Sequence, residues 1–233
     1  MTRRIIFVVA LIMHLTASAS ACCGGSSETR SQGEIEAALR QWTPLAEQGN
    51  AEAQYELGLM YARGSGVTRN EAEALRWIRM AAEQGFAKAQ TAIGVFHAVG
   101  RNVERDDAEA LRWFGKAVEQ GDAEGQLLLG YMYAEGRGAA KDVAEALRWF
   151  RKAAAQGLID ALYELGSRYE YGKGVPQDFV QAHMWFDLGA KQGSAFMNER
   201  AGDGRSRVAN RMTPEQIAEA QRLAREWKPK KVE

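Results

Sequence analysis

The 233-residue chain balances 30 Lys and Arg against 30 Asp and Glu, is 46% hydrophobic, and holds two cysteines, Cys22 and Cys23. Zero formal charge offers no global attraction for nucleic acid, whose binding rests on clustered Lys and Arg neutralising phosphates. The cysteine count leaves no disulfide framework or cysteine metal site in the body, and length and composition suit one or two globular units.

Residues 1–21 read as a secretory signal: Arg3 and Arg4 make a basic start, Ile5 to Ala17 is apolar apart from His14, and Ala19-Ser20-Ala21 supplies small residues before Cys22. The apolar run is shorter than the ~20 residues that span a bilayer, and no later run approaches that length without charge. A polytopic membrane protein is therefore excluded. Loss of Arg3 and Arg4 with the signal leaves 28 basic and 30 acidic residues in the mature chain. Cys22 and its small neighbours resemble a bacterial lipobox, with Ala19 where Leu is usual; Ala19-x-Ala21 equally suits an ordinary signal peptidase. Cys22 is the expected lipid attachment site. Residues 22–33, with Gly24-Gly25-Ser26-Ser27, form a flexible tether. Cys23 in place of the Asp of an inner-membrane retention signal points to an outer-membrane lipoprotein facing the periplasm, a soluble periplasmic protein being the alternative.

Residues 34–49 match the second half of a repeat, with Trp42 one position out of phase with later tryptophans and Pro44 expected to break or restart the helix. The repeat itself is marked by Gln-Gly at 48–49, 84–85, 120–121, 156–157 and 192–193, each 36 residues after the last. The same period carries Gly58, Gly94, Gly130 and Gly166, and Trp77, Trp113, Trp149 and Trp185. A period of this size denotes a solenoid, here with units 50–85, 86–121, 122–157 and 158–193.

Each unit predicts two helices. Ala53, Leu57 and Tyr61, then Ala74, Ile78, Ala81 and Ala82, fall on three-and-four spacing. Gly64-Ser65-Gly66-Val67 forms the turn, with Asn102 in place of the second glycine one unit on, the residue that best tolerates positive φ after Gly. Asn70, Asp106, Asp142 and Asp178 are expected to cap the second helices. The mid-helix glycines cost roughly 1 kcal/mol each relative to Ala, which close approach of the partner helix offsets. The four tryptophans, with Ile78, Phe114, Phe150 and Phe186 behind them, are expected to be core anchors.

The run Ala51-x-Ala53-Gln54-x-x-Leu57-Gly58-x-x-Tyr61-x-x-Gly64-x-Gly66-Val67, then Ala74-Leu75-x-Trp77 and Ala81-Ala82-x-Gln84-Gly85, resembles the Sel1-like repeat, a relative of tetratricopeptide repeats. The resemblance spans residues 50–193 and implies an all-α, right-handed α-solenoid and a scaffold or adaptor role. Residues 194–233 are expected to form a helical cap and tail. Gly202-Asp203-Gly204 interrupts its first part, and Thr213-Pro214-Glu215-Gln216 opens a last helix whose Ile217, Ala220, Leu223, Ala224 and Trp227 cover the final repeat.

No catalytic motif is present, and no cofactor or metal is expected. His97 and His183 fall on repeat positions held elsewhere by Tyr and Leu, as packing substitutes. Some cysteine-rich relatives resemble penicillin-binding or β-lactam-hydrolysing proteins, but their paired cysteines are absent, which leaves a β-lactam-type hydrolase unsupported. In solenoids of paired helices the first helices usually line the concave face. The residues off their packing stripe, Tyr55, Leu59, Arg63, Thr91, Val95, Leu127, Tyr131, Tyr163 and Tyr171, are therefore the expected partner-binding set. The reading is a non-enzymatic protein-interaction scaffold of the bacterial envelope, the membrane being reached through a lipid anchor only. An assembly factor associated with peptidoglycan or exported polysaccharide is the alternative.

Overall fold

The computed structural model describes residues 32–191 and 195–229. The expected signal, Cys22 with the tether up to residue 31, the fifth Gln-Gly at 192–193, and the terminal Lys230 and Lys231 lie outside the described residues. Eleven helices and no strand occur among the described residues: α1 (Gln32–Glu47), α2 (Ala51–Arg63), α3 (Glu71–Glu83), α4 (Ala87–Val99), α5 (Asp107–Glu119), α6 (Ala123–Glu135), α7 (Val143–Ala155), α8 (Ile159–Tyr171), α9 (Phe179–Ala190), α10 (Ala195–Ala209) and α11 (Pro214–Glu226). From α2 to α9 they form four helix-turn-helix repeats of 36 residues, an α-helical solenoid. The chain divides into two compact units, one ending at Asp122 and the other beginning at Ala123.

Local chemistry sets the helix ends. Asn70, Asp106, Asp142 and Asp178 are the N-caps of α3, α5, α7 and α9, each side chain accepting from an amide two or three residues on. Their own amides donate to the carbonyls of Tyr61, His97, Tyr133 and Tyr169 at 2.9–3.0 Å, tying each second helix to the end of the first. Asn102 adopts φ 53° where Gly66 adopts 74°, so both close the turn in the left-handed region.

Within each repeat a large side chain of the second helix plugs a glycine of the first. A Cβ on Gly58 would lie 2.6 Å from Ile78 Cγ1, and those on Gly94, Gly130 and Gly166 would lie 2.5–2.7 Å from the rings of Phe114, Phe150 and Phe186. All four plugs are buried. The tryptophans one residue earlier are shallower. Trp77 and Trp185 are buried, but Trp113 and Trp149 are half-buried, with Lys116 and Lys152 each 4.2 Å above the ring. Helical geometry turns neighbouring side chains about 100° apart, so only one of the two can face the glycine.

An amide pair with one buried member repeats in each of the first three repeats. Gln84, Gln120 and Gln156, at the ends of α3, α5 and α7, donate Nε2 to Oε1 of Gln54, Gln90 and Gln126 at 2.7–2.9 Å. Gln54 and Gln90 in turn donate to the carbonyls of Ala46 and Ala82 of the preceding helix, at 3.1 and 3.4 Å. The fourth repeat has Leu162 at this position.

Both ends depart from expectation. α1 runs unbroken through Pro44 and begins at Gln32, inside the expected tether. Arg40 and Pro44 are both exposed, so the carbonyl that loses its amide partner lies on the solvent side, while Leu39 and Trp42 pack on Ala46, Ala53, Leu57 and Trp77. α10 likewise continues through Gly202-Asp203-Gly204. A Cβ on Gly204 would sit 2.8 Å from the Phe186 ring, so this glycine admits a plug rather than ending a helix. α11 has the expected capping box of Thr213 and Gln216 and packs on α9, burying Ala220 and Ala224 and setting Trp227 edge-on to Trp185.

Gly130→Leu is expected to cost about 3 kcal/mol or more, since the added side chain must displace Phe150 from a close-packed site. Combining it with Phe150→Ala should recover part of that loss, giving a non-additive pair. Urea midpoints of the two single variants and the double variant check this.

Candidate protein-interaction face

In the first unit, Glu71 at the start of α3 holds the following repeat. Arg101 donates Nε to Glu71 Oε2 at 2.8 Å and pairs with Oε1 through Nη2, Arg69 pairs with Oε1 at 2.6 Å, and Asn102 adds 3.0 Å. These bonds, Arg101 first, hold the Glu71 carboxyl down at about 2. A depressed carboxyl pKa contributes stability that is whole above the unfolded value near 4.5 and is lost as pH falls from there toward 2. Glu71→Gln should therefore lower the melting temperature at pH 7 and shrink the acid-side loss between pH 4.5 and 2; parallel wild-type and variant melting curves across that range would contradict this.

Four of the nine expected partner-binding residues are core instead. Tyr55 is buried with its ring 5.3 Å from Phe86, among Ile78, Ala81 and Ile93. Thr91 is buried and donates its hydroxyl to Asp122 Oδ2 at 2.7 Å. Val95 is buried, and Leu127 lies in the second unit's main cluster with Phe150 and Leu162. The physical reason is that a first helix packs on two sides, its own second helix and an adjoining repeat. A residue off one stripe can therefore lie on the other. Leu59 is half-buried against the Tyr55 cluster, and Arg63 is exposed at the end of α2.

The remaining three residues lie on α6 and α8 of the second unit, Tyr131 and Tyr163 against different apolar clusters. Tyr131 is half-buried, donates its hydroxyl to Glu164 Oε2 at 3.0 Å, and meets Phe150 edge-on at 5.1 Å. Tyr163 is half-buried, 5.4 Å from Phe186, with the Arg200 guanidinium 4.5 Å above its ring. Tyr171 is 53% exposed. Burial and the nearby Glu164 and Asp160 carboxylates push the Tyr131 hydroxyl well above its ordinary pKa, so it remains a donor.

The charged residues around these tyrosines were less visible in the sequence. Arg168 is buried, with Nε 2.9 Å from Glu164 Oε1 and its guanidinium 4.5 Å from the Phe150 ring. Glu170, also buried, accepts from Arg207 Nε and Nη2 at 3.0 and 2.9 Å. Asp187 is paired with Lys191 at 2.6 Å and Arg205 at 2.8 Å, and these cations outweigh burial to lower its pKa. Comparing repeats supplies the missing signal. Arg168 stands where Met60, Phe96 and Met132 stand, and Glu170 where Ala62, Ala98 and Ala134 stand. His183 is buried, and burial lowers its pKa against the pull of Asp187. Among the described residues no group of three or more His, Cys, Asp or Glu is placed to hold a metal ion, and no helix is long and apolar enough to cross a membrane.

Asp160, in the first turn of α8, has its carboxyl raised by burial to about 6, with Arg200 pulling the other way. A carboxyl pKa raised on folding makes the protein lose stability as pH climbs from 3.8 to 6. Asp160→Asn should thus raise the melting temperature at pH 7.5 and flatten the curve within that window; thermal melts from pH 3.5 to 7.5 measure both.

Paired helices on a 36-residue period, with repeated cap, plug and turn residues, define an α-solenoid repeat protein. The Sel1 repeat model matches residues 51–86, 87–122, 123–158 and 159–194, and the chain belongs to the Sel1 repeat family. Sel1 repeats are helical scaffolds for protein–protein interaction. A Sel1 repeat protein from Oxalobacter formigenes is 27% identical, over 93% of this chain and 86% of that one, with a TM-score of 0.67. The immunity protein Pa5087 from Pseudomonas aeruginosa shares the fold at 22% identity, over 92% of this chain and 78% of that one, with a TM-score of 0.58. No curated protein sequence matches the chain significantly.

Proposed function

We propose that this Sel1 repeat protein is an exported, lipid-anchored scaffold of the bacterial cell envelope, holding a protein partner on the α6 and α8 face of its second unit and catalysing no reaction. The observation that carries the reading is Tyr171, the most exposed of the large hydrophobics that lie open, on the stripe of α8 that also bears Tyr163. An aromatic ring held on a helix offers contact area with little side-chain entropy to lose, the property that suits partner recognition. Export and anchoring rest on Arg3-Arg4, the apolar run and Ala19-Ser20-Ala21-Cys22.

A photo-crosslinking residue at Tyr171 should trap a discrete protein adduct in cells, while the same probe at exposed Lys152 on α7 should not. Adducts from Lys152 alone would place recognition on the other helix layer. Retention on peptidoglycan without any protein adduct would favour a saccharide ligand. A tagged fatty acid should label the wild type and not Cys22→Ser; an unlabelled wild type ends the anchoring part of the reading.

A further inference from the structure

The plug-in-glycine joint of the four repeats is half present at each end of the described chain. α1 has second-helix register: Trp42 stands 36 residues before Ile78, and Leu39, Leu45 and Ala46 stand before Leu75, Ala81 and Ala82. No glycine-bearing first helix precedes it among the described residues. Trp42 is only half-buried, and Leu45 is 37% exposed where its counterpart Ala81 is fully buried. α10 offers the complement. Gly202 stands 36 residues after Gly166, yet a Cβ there meets nothing within 4 Å. The helix that follows does not fill the space, because α11 packs on α9 and its residue in plug register is Arg222. Arg222 is held by Glu219 at 2.6 Å and Glu226 at 2.7 Å.

We propose that these half-joints complete each other between two copies of the chain. Trp42 and Leu45 on α1 of one copy seat on the Gly202 surface of α10 of the next, forming a composite repeat that joins copies head to tail. The occupant of each end is fixed by continuity with the joint the chain already uses four times. Such an interface is heterologous, each copy using a different surface at each end. It is independent of the partner face on α6 and α8.

Sedimentation velocity tests this on the full chain carrying Cys22→Ser and Cys23→Ser, so that neither acyl chains nor thiol coupling mimic association. The parent mass should grow with concentration beyond twice the monomer. Leu45→Glu and Gly202→Leu should each remain monomeric with helical circular dichroism intact, since Leu45 is exposed and a Cβ on the half-buried Gly202 meets nothing within 4 Å. Should Leu45→Glu lose helicity, the milder Leu45→Gln at the same exposed position blocks the same end. An equimolar mixture of the two blocked variants, each retaining one working end, should form a heterodimer and nothing larger. The proposal is overturned by a parent that stays monomeric up to its solubility limit, by a mixture that stays monomeric, or by Gly202→Leu associating as the parent does, which would mean α1 pairs with itself.

Discussion

The contact between a mid-helix glycine and the side chain that plugs it governs the rest of the structure. Without a Cβ on Gly94, Gly130 or Gly166, the phenylalanine ring of the second helix comes to within 2.5–2.7 Å of where that atom would be. This draws the two helices of a repeat together and aims the second helix's small residues, Ala81 and Ala82 or Ala153 and Ala154, at the next first helix. A glycine inside a helix is unfavourable on backbone entropy alone. It is sustained because burying a whole aromatic ring contributes more than the glycine costs.

Beside each apolar joint of the first three repeats runs a polar one. The glutamine that ends a second helix reaches the glutamine of its own first helix, and in the first two repeats the latter reaches back to the preceding helix's terminal carbonyl. The carbonyls reached, those of Ala46 and Ala82, already accept from the amides of Gly49 and Gly85 in the turn that ends each helix, and the buried glutamine amide gives each a second donor that ties the next repeat to that turn. In a repeat array, stability is close to a sum of within-repeat and nearest-neighbour contributions. The glycine plug and the glutamine relay are one of each, which is why both recur at 36-residue spacing.

This recurrence made the fold legible in the sequence. The first four Gln-Gly pairs, four glycines and four caps in phase define helix ends and pairing without reference to tertiary contacts, and Asn102 standing in for a turn glycine identified the left-handed position. Where only one copy of a signal exists, propensity misleads. Pro44 and Gly202-Asp203-Gly204 carry helix-breaking residues, yet packing on α2 and α9 sustains both helices. The binding face was less legible, because helical periodicity identifies the stripe facing one neighbour and a solenoid helix has two. Tyr55, Thr91, Val95 and Leu127 fell into that gap.

In such a chain, positions that repeat specify architecture, and positions that fail to repeat carry what is particular to the molecule. Arg168, Glu170 and Asp187 are buried charges at positions occupied in other repeats by apolar residues, by alanine, or by arginine and glycine. Each is met by an opposite charge, and Arg205 and Arg207 of α10 supply two of those partners. Removing one member of a buried pair leaves an uncompensated charge and costs more than the pair contributes, so these pairs fix the register of α10 on α8 and α9 more strictly than apolar contact alone. The same register leaves Gly202 facing open space. The fourth repeat thus combines the charges that dock the terminal helix with the tyrosines that stand beside them, and departures from the repeat collect where the chain ceases to resemble itself.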